Sequence, residues 1–133
     1  MPHTNKRMKN EQGQTMTEFA LVLPILIVLL FGIIQFGIAF NNYVTLTDAV
    51  RAGARKAAVS RNASDPAGTC KAAVLAAADN LDKTDLQTNL SCSSSWAPGS
   101  DVIVSADYKY DISLLGWVVW SGRMQSKTQE RVE

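Results

Sequence analysis

Hydrophobic and polar positions divide this chain into stretches of different period. From Phe19 to Phe40 the sequence reads FALVLPILIVLLFGIIQFGIAF, and its only strongly polar side chain is Gln35. As a helix rising 1.5 Å per residue, the run is roughly 33 Å long, enough to cross a hydrocarbon core of about 30 Å. The alternative is a buried helix of a soluble domain. That helix would need covering on every side, and the remainder of the chain is small, polar and Ser/Thr-rich. The pattern therefore predicts a membrane span. Pro24, Gly32 and Gly37 are compatible with it, since transmembrane helices tolerate proline and glycine, and Pro24 lies near its start.

The apolar run passes without a proline into NNYVTLTDAVRAGARKAAVSR, where the period becomes that of an amphipathic helix. Val50, Ala54, Ala57 and Ala58 recur three or four residues apart, while Asp48, Arg51, Arg55 and Lys56 supply a polar side. One continuous helix is predicted over about Thr17–Ser60, some 65 Å long. After RNASDPAGT, Asp65 can cap a second helix with Pro66 at its first position, alanine-rich and ending near Asn80. The stretch SCSSSWAPGS is expected to be irregular. In DVIVSADYKYDIS the period changes to two: Val102, Val104, Ala106, Tyr108, Tyr110 and Ile112 alternate with more polar neighbours, a half-buried strand. Leu114–Trp117 reads as a connection to a weaker second strand with Trp120, Met124 and Val132 facing inward. Two strands alone form a marginal sheet, so they should pack on the outer half of the long helix or pair with a partner.

The fold class expected is α+β: a long N-terminal transmembrane and stalk helix, then a small head with a short helix and an antiparallel hairpin or small sheet. The expected organisation is a basic leader over 1–13, the long helix over 14–60 with its membrane part at about 19–40, and the head over 61–133. The leader carries Lys6, Arg7 and Lys9 against Glu11. A signal peptide begins similarly, but its apolar region is typically about 7–15 residues and is followed by a small-x-small site. Here Ala39 is followed by Phe40, Asn41, Asn42 and Tyr43, so the segment should stay attached as an anchor.

Charge settles less. Thirteen basic residues stand against twelve acidic ones, dispersed along the chain, which offers no footprint for nucleic acid. Cationic residues flank the apolar run on both sides, leaving its orientation a near tie. Cys70 and Cys92 are too far apart for a CxxC motif; they are either two unrelated thiols or one disulfide in an oxidising, extracytoplasmic compartment. Such a bridge would contribute about 3 kcal/mol on the chain-entropy account. The single histidine, His3, lies in the leader, so the head has no histidine for a triad or a zinc site, nor one to activate a cysteine. Asp101, Asp107 and Asp111 are spaced along an exposed strand face, and no phosphate-binding glycine loop is present. No catalytic constellation and no cofactor is expected. Asn62 (NAS) and Asn89 (NLS) match a glycosylation pattern short enough to arise by chance. In the membrane helix, Gln35 with Gly37 and Gly32 marks a candidate helix–helix contact, because an unpaired amide in hydrocarbon is costly; the glycines lack GxxxG spacing. Pro24 reads either as a tolerated early proline or as a kink used in packing.

One feature remains, the acid at the edge of the span. On hydropathy alone, Glu18 is an interfacial carboxylate reaching into the headgroups. The stretch GQTMTEFALVLP, Gly13 to Pro24, however, resembles type IV prepilins and pseudopilins: a short basic leader ending in glycine, a few small or polar residues, then Glu-Phe and an unbroken apolar helix. Counted from Gln14, Glu18 is the fifth residue. The continuation resembles the TadE-like branch of the tight-adherence system that builds Flp pili. It has Glu18-Phe19-Ala20-Leu21-Val22-Leu23-Pro24, then Phe36-Gly37, then Ala49-Val50-Arg51-Ala52-Gly53-Ala54-Arg55. Gln14 departs from the phenylalanine or methionine that begins many mature pilins.

The resemblance implies a minor, non-enzymatic structural component of pilus assembly. A prepilin peptidase would cut between Gly13 and Gln14, and Glu18 and Phe19 would form the assembly contact, with Glu18 meeting the N-terminal amine of an adjoining subunit. The partners it implies are that peptidase, other pseudopilins and pilins, an inner-membrane assembly platform and the lipid bilayer. The implied location is the bacterial cytoplasmic membrane, single-pass, with the N-terminus cytoplasmic and the head outside or carried into the pilus. The competing expectation is a single-pass anchored envelope protein that displays a small binding domain and is never processed.

Overall fold

The computed structural model describes the backbone of residues 5–133 and the side chains of residues 13–133. The leader, apart from Gly13, therefore lies outside the residues whose side chains are described. The chain divides into two compact units, Met1–Phe36 and Gly37–Glu133. One helix, α1 (Asn5–Ala58), belongs to both. It begins before the predicted Thr17 and ends two residues before the predicted Ser60. In the first unit, every side chain from Gly13 to Leu30 is exposed. Leu21 is 70% exposed and Ile25 66%, so none of the described residues covers this apolar surface. α1 is the one helix among the described residues that is long and apolar enough to cross a membrane, and none of its most apolar window is buried. A core helix of a soluble protein would be covered.

The second unit is built on the last four turns of α1. Leu46, Ala49, Val50, Gly53, Ala54 and Ala57, spaced three or four apart, form its buried face, while Asp48, Arg51, Arg55 and Lys56 stay in solvent. Helix α2 (Pro66–Ala77) starts as predicted: the Asp65 carboxylate accepts from the Gly68 N–H at 2.9 Å, and Pro66 takes the first position, where its missing N–H costs nothing. It ends three residues before Asn80. A six-residue helix, α3 (Lys83–Thr88), capped by the Asp82 side chain on Thr84 N–H, was not foreseen.

Three antiparallel strands follow in the order β1-β2-β3: β1 (Leu90–Ser93), β2 (Asp101–Leu114) and β3 (Trp117–Arg131). The alternation read over Val102–Ile112 is β2, with Val102, Val104 and Ala106 buried. β1 corrects an expectation, since Ser91, Cys92 and Ser93 belonged to the stretch expected to be irregular. Serine disfavours a strand locally, but pairing with Ile103–Ser105 and the covalent tie at Cys92 override it. The core gathers the buried face of α1 with Cys70, Val74, Leu81, Leu86, Leu90, the inward residues of β2, and Val132; Trp96, Tyr108 and Met124 pack at its margin. Trp120 is a second correction. Met124 is half-buried and Val132 buried as expected, but Trp120 is 64% exposed, because the hairpin extends beyond the core.

Candidate assembly segment and its support

The first candidate site is the start of the exposed helix. Gly13 through Glu18 form continuous helix, in which the Thr17 hydroxyl donates to the Gly13 carbonyl at 2.9 Å and the Gln14 side-chain amide donates to Glu18 Oε1 at 3.1 Å. Residues four apart share one helix face, so the fifth position counted from Gln14 brings the carboxylate beside the first residue. Phe19, next to Glu18, is 58% exposed, and Pro24 sits inside α1 without ending it.

Further along, Gln35 is half-buried, while Gly32 and Gly37 have open space where a side chain would project. Nothing among the described residues therefore requires glycine at these two positions. Gly53 contrasts with them. A Cβ there would lie 3.3 Å from the Cys70 carbonyl oxygen, 3.5 Å from Val74 Cβ, and inside van der Waals contact of Val74 Cγ2. The backbone of α1 meets α2 at this point, and only glycine allows the approach. In the sequence Gly53 stands only as one residue of the Ala-Val-Arg-Ala-Gly-Ala-Arg motif; the flanking alanines, small residues on an interior face, are the signal for this role.

Cys70, fully buried on α2, is bonded to Cys92 on β1, with Cα atoms 6.4 Å apart. The bridge fastens to the sheet the helix that Gly53 admits. On the other side of the sheet edge, β1 pairing ends at Leu90 opposite Ala106, and α3 takes over. Asp85 accepts the Lys109 N–H at 3.0 Å and lies 3.9 Å from the Arg123 guanidinium, while the Tyr108 hydroxyl accepts the Asp82 N–H at 3.0 Å. These contacts occupy an edge that would otherwise offer open backbone groups. Asp85 was not anticipated, because only the fold brings it to β2.

Asp101 and Asp111 are exposed and Asp107 is half-buried; Asp111 is 3.5 Å from Lys109 Nζ. Among the described residues, no group of three or more His, Cys, Asp or Glu side chains could hold a metal ion.

Comparison with known proteins bears on the first candidate site. The family model described as TadE-like protein matches residues 13–55, from the residue before Gln14 to the end of the Ala-Val-Arg-Ala-Gly-Ala-Arg stretch. This is the family that the sequence resembles, and the matched segment holds Glu18, the exposed apolar helix and Gly53. No curated protein and no solved structure matches the chain.

Proposed function

We propose that this chain, TadE-like over residues 13–55, is a minor pseudopilin-like structural component that takes part in assembling a tight-adherence pilus. In this reading a prepilin peptidase on the cytoplasmic face cleaves after Gly13. The cut removes Lys6, Arg7 and Lys9 with the leader and leaves an amine at Gln14. The anchor stays in the cytoplasmic membrane and the head stands outside it. The Cys70–Cys92 bond supports that orientation, since disulfides persist in oxidising compartments.

The observation that carries the proposal is the placement of Glu18, one turn from Gln14 at the head of an apolar helix that none of the described residues covers. A carboxylate drawn into hydrocarbon is costly unless a cation pairs with it. The amine of a neighbouring processed subunit is such a cation, so packing the helices side by side relieves a penalty that each separate subunit bears. Phe19, Gln35 and the open surface at Gly37 supply the contact faces along the same helix, and Pro24 allows it to bend. The role requires no catalysis and no cofactor. Partners are the peptidase, sister pseudopilins and pilins, and the assembly platform of the membrane.

Replacing Glu18 with alanine tests this. The variant should insert into membranes as the original does but recover fewer pilus-system subunits when purified from cells that express the whole system. Glu18→Gln should behave likewise, since it keeps the shape and loses the charge. Undiminished recovery with both variants refutes the pairing.

A further inference from the structure

The far end of the β2–β3 hairpin serves neither the core nor the assembly segment. From Leu114 through Trp120 the sequence is LLGWVVW, and no charged residue stands between Asp111 and Arg123. Exposure is 77% at Leu115, 83% at Trp117, 60% at Val118, 64% at Val119 and 64% at Trp120. The register explains how these side chains are aimed. Ile112 pairs with Trp120 but Ser113 pairs with Val118, so Val119 is an extra residue, a β-bulge. The bulge shifts the alternation by one and places Trp117, opposite Leu114, on the same face as Trp120. That face continues the core face of β2 through the half-buried Tyr110, Ile112 and Leu114 to the exposed Trp117 and Trp120. Val118 projects from the opposite face, and Leu115 forms the tip.

The turn itself is unusual. Leu115 and Gly116 connect the strands with φ of 51° and 87°, the two-residue turn normally filled by Asn-Gly or Asp-Gly. A leucine in the left-handed region is strained, and here it gains no burial within the chain in return.

We propose that this hairpin tip inserts into the interfacial region of a lipid bilayer, as a second, non-spanning membrane contact of the head. Apolar side chains project from the turn and from both faces. A protein surface docked on one face would leave Val118 and Leu115 in water, whereas lipid surrounds all of them. Tryptophan favours the headgroup boundary, where its ring is half in apolar surroundings and its N–H stays near water. The chain also has the reach. Glu133 N–H donates to the Ala58 carbonyl at 3.1 Å, which ties the open end of the hairpin to the end of α1. From Ala58 back to Phe40, the last residue of the apolar run, the helix covers about 27 Å, and a strand as long as β2 covers about 45 Å. The neighbouring cations have acidic partners, Asp111 for Lys109 and Asp85 for Arg123, so the insertion depends on apolar burial and not on anionic lipid. The proposal uses the reading of α1 as an anchor but neither leader processing nor pilus assembly.

The test uses the full chain reconstituted at low density into phosphatidylcholine vesicles. Tryptophan emission is compared with that of the Trp117→Phe/Trp120→Phe chain, so that the difference reports the tip alone and Trp96 cancels. The expected difference spectrum is blue-shifted and loses most of its intensity when the acyl chains are brominated, while aqueous iodide quenches it little. Adding phosphatidylglycerol should leave it unchanged. A red-shifted, iodide-quenched signal that ignores brominated lipid overturns the proposal. A blue shift that appears only at high protein density and ignores brominated lipid overturns it in favour of contact between copies. Leu115→Asp, which keeps both reporters at the tip, should restore iodide quenching with the circular dichroism of the head unchanged.

Discussion

The approach of α1 to α2 at Gly53 yields a prediction whose magnitude can be worked out. Adding a methyl group places a Cβ 3.3 Å from the Cys70 carbonyl oxygen and too close to Val74 Cγ2. Carbon atoms settle at about 3.5–4.0 Å, so either Val74 must rotate or α2 must retreat. Val74 is fully buried, and a β-branched side chain in a helix has one strongly preferred rotamer, so rotation is not a cheap escape. Retreat of α2 pulls on the Cys70–Cys92 bond. Overpacking of this kind costs about 1–3 kcal/mol, here toward the upper end. Alanine in place of a helical glycine returns about 1 kcal/mol of propensity. Gly53→Ala should therefore destabilise the head by about 1–2 kcal/mol. The assay is urea unfolding of the full chain in mild detergent, followed by Trp96 emission in the Trp117→Phe/Trp120→Phe background. Val74→Ala alone should also destabilise, but the double variant should be more stable than the sum of the two single effects by roughly 1–2 kcal/mol, because the clash has been removed. If Gly53→Ala matches or exceeds the parent in stability and the two changes are additive, the close approach is wrong.

Two other perturbations probe the head. Replacing Cys70 and Cys92 with serine opens a loop whose ends are 22 residues apart, and should cost about 3 kcal/mol in the same unfolding assay; a change well under 1 kcal/mol would mean that the bridge closes nothing. Asp85→Ala leaves the Lys109 N–H without its carboxylate partner and should cost about 1–3 kcal/mol, with faster amide exchange concentrated at Tyr108–Tyr110. Uniform loss of protection across the sheet would show instead that Asp85 does not hold this edge.

What was legible in the sequence followed how local each signal is. The exposed span, the buried face of α1, the Asp65–Pro66 start of α2 and the alternation in β2 are written in residues a few positions apart, and each is present in the structure. β1 was hidden because Ser91 and Ser93 carry no strand preference; only β2 and the bond to Cys70 make that segment extended. Trp120 was misplaced because alternation tells which face a residue takes and not where the core ends along a strand. α3 and Asp85 escaped because a six-residue helix has too short a period to detect, and its partners on β2 lie more than twenty residues away. Glu18 is different again. Its position five residues from a glycine is plain in the sequence, but hydropathy treats it as an imperfection, and its geometry shows only that Gln14 and the carboxylate share a helix face.

The central claim, that this chain, similar to the TadE-like family over residues 13–55, becomes an assembly subunit by losing its leader, is tested most directly by the mass and N-terminal sequence of the protein isolated from membranes in which the cognate peptidase is active. The account predicts a chain that begins at Gln14, and an intact leader in cells lacking the peptidase or carrying Gly13→Leu. A chain that keeps residues 1–13 whether or not the peptidase is active would contradict it, and would leave a plain membrane-anchored envelope protein.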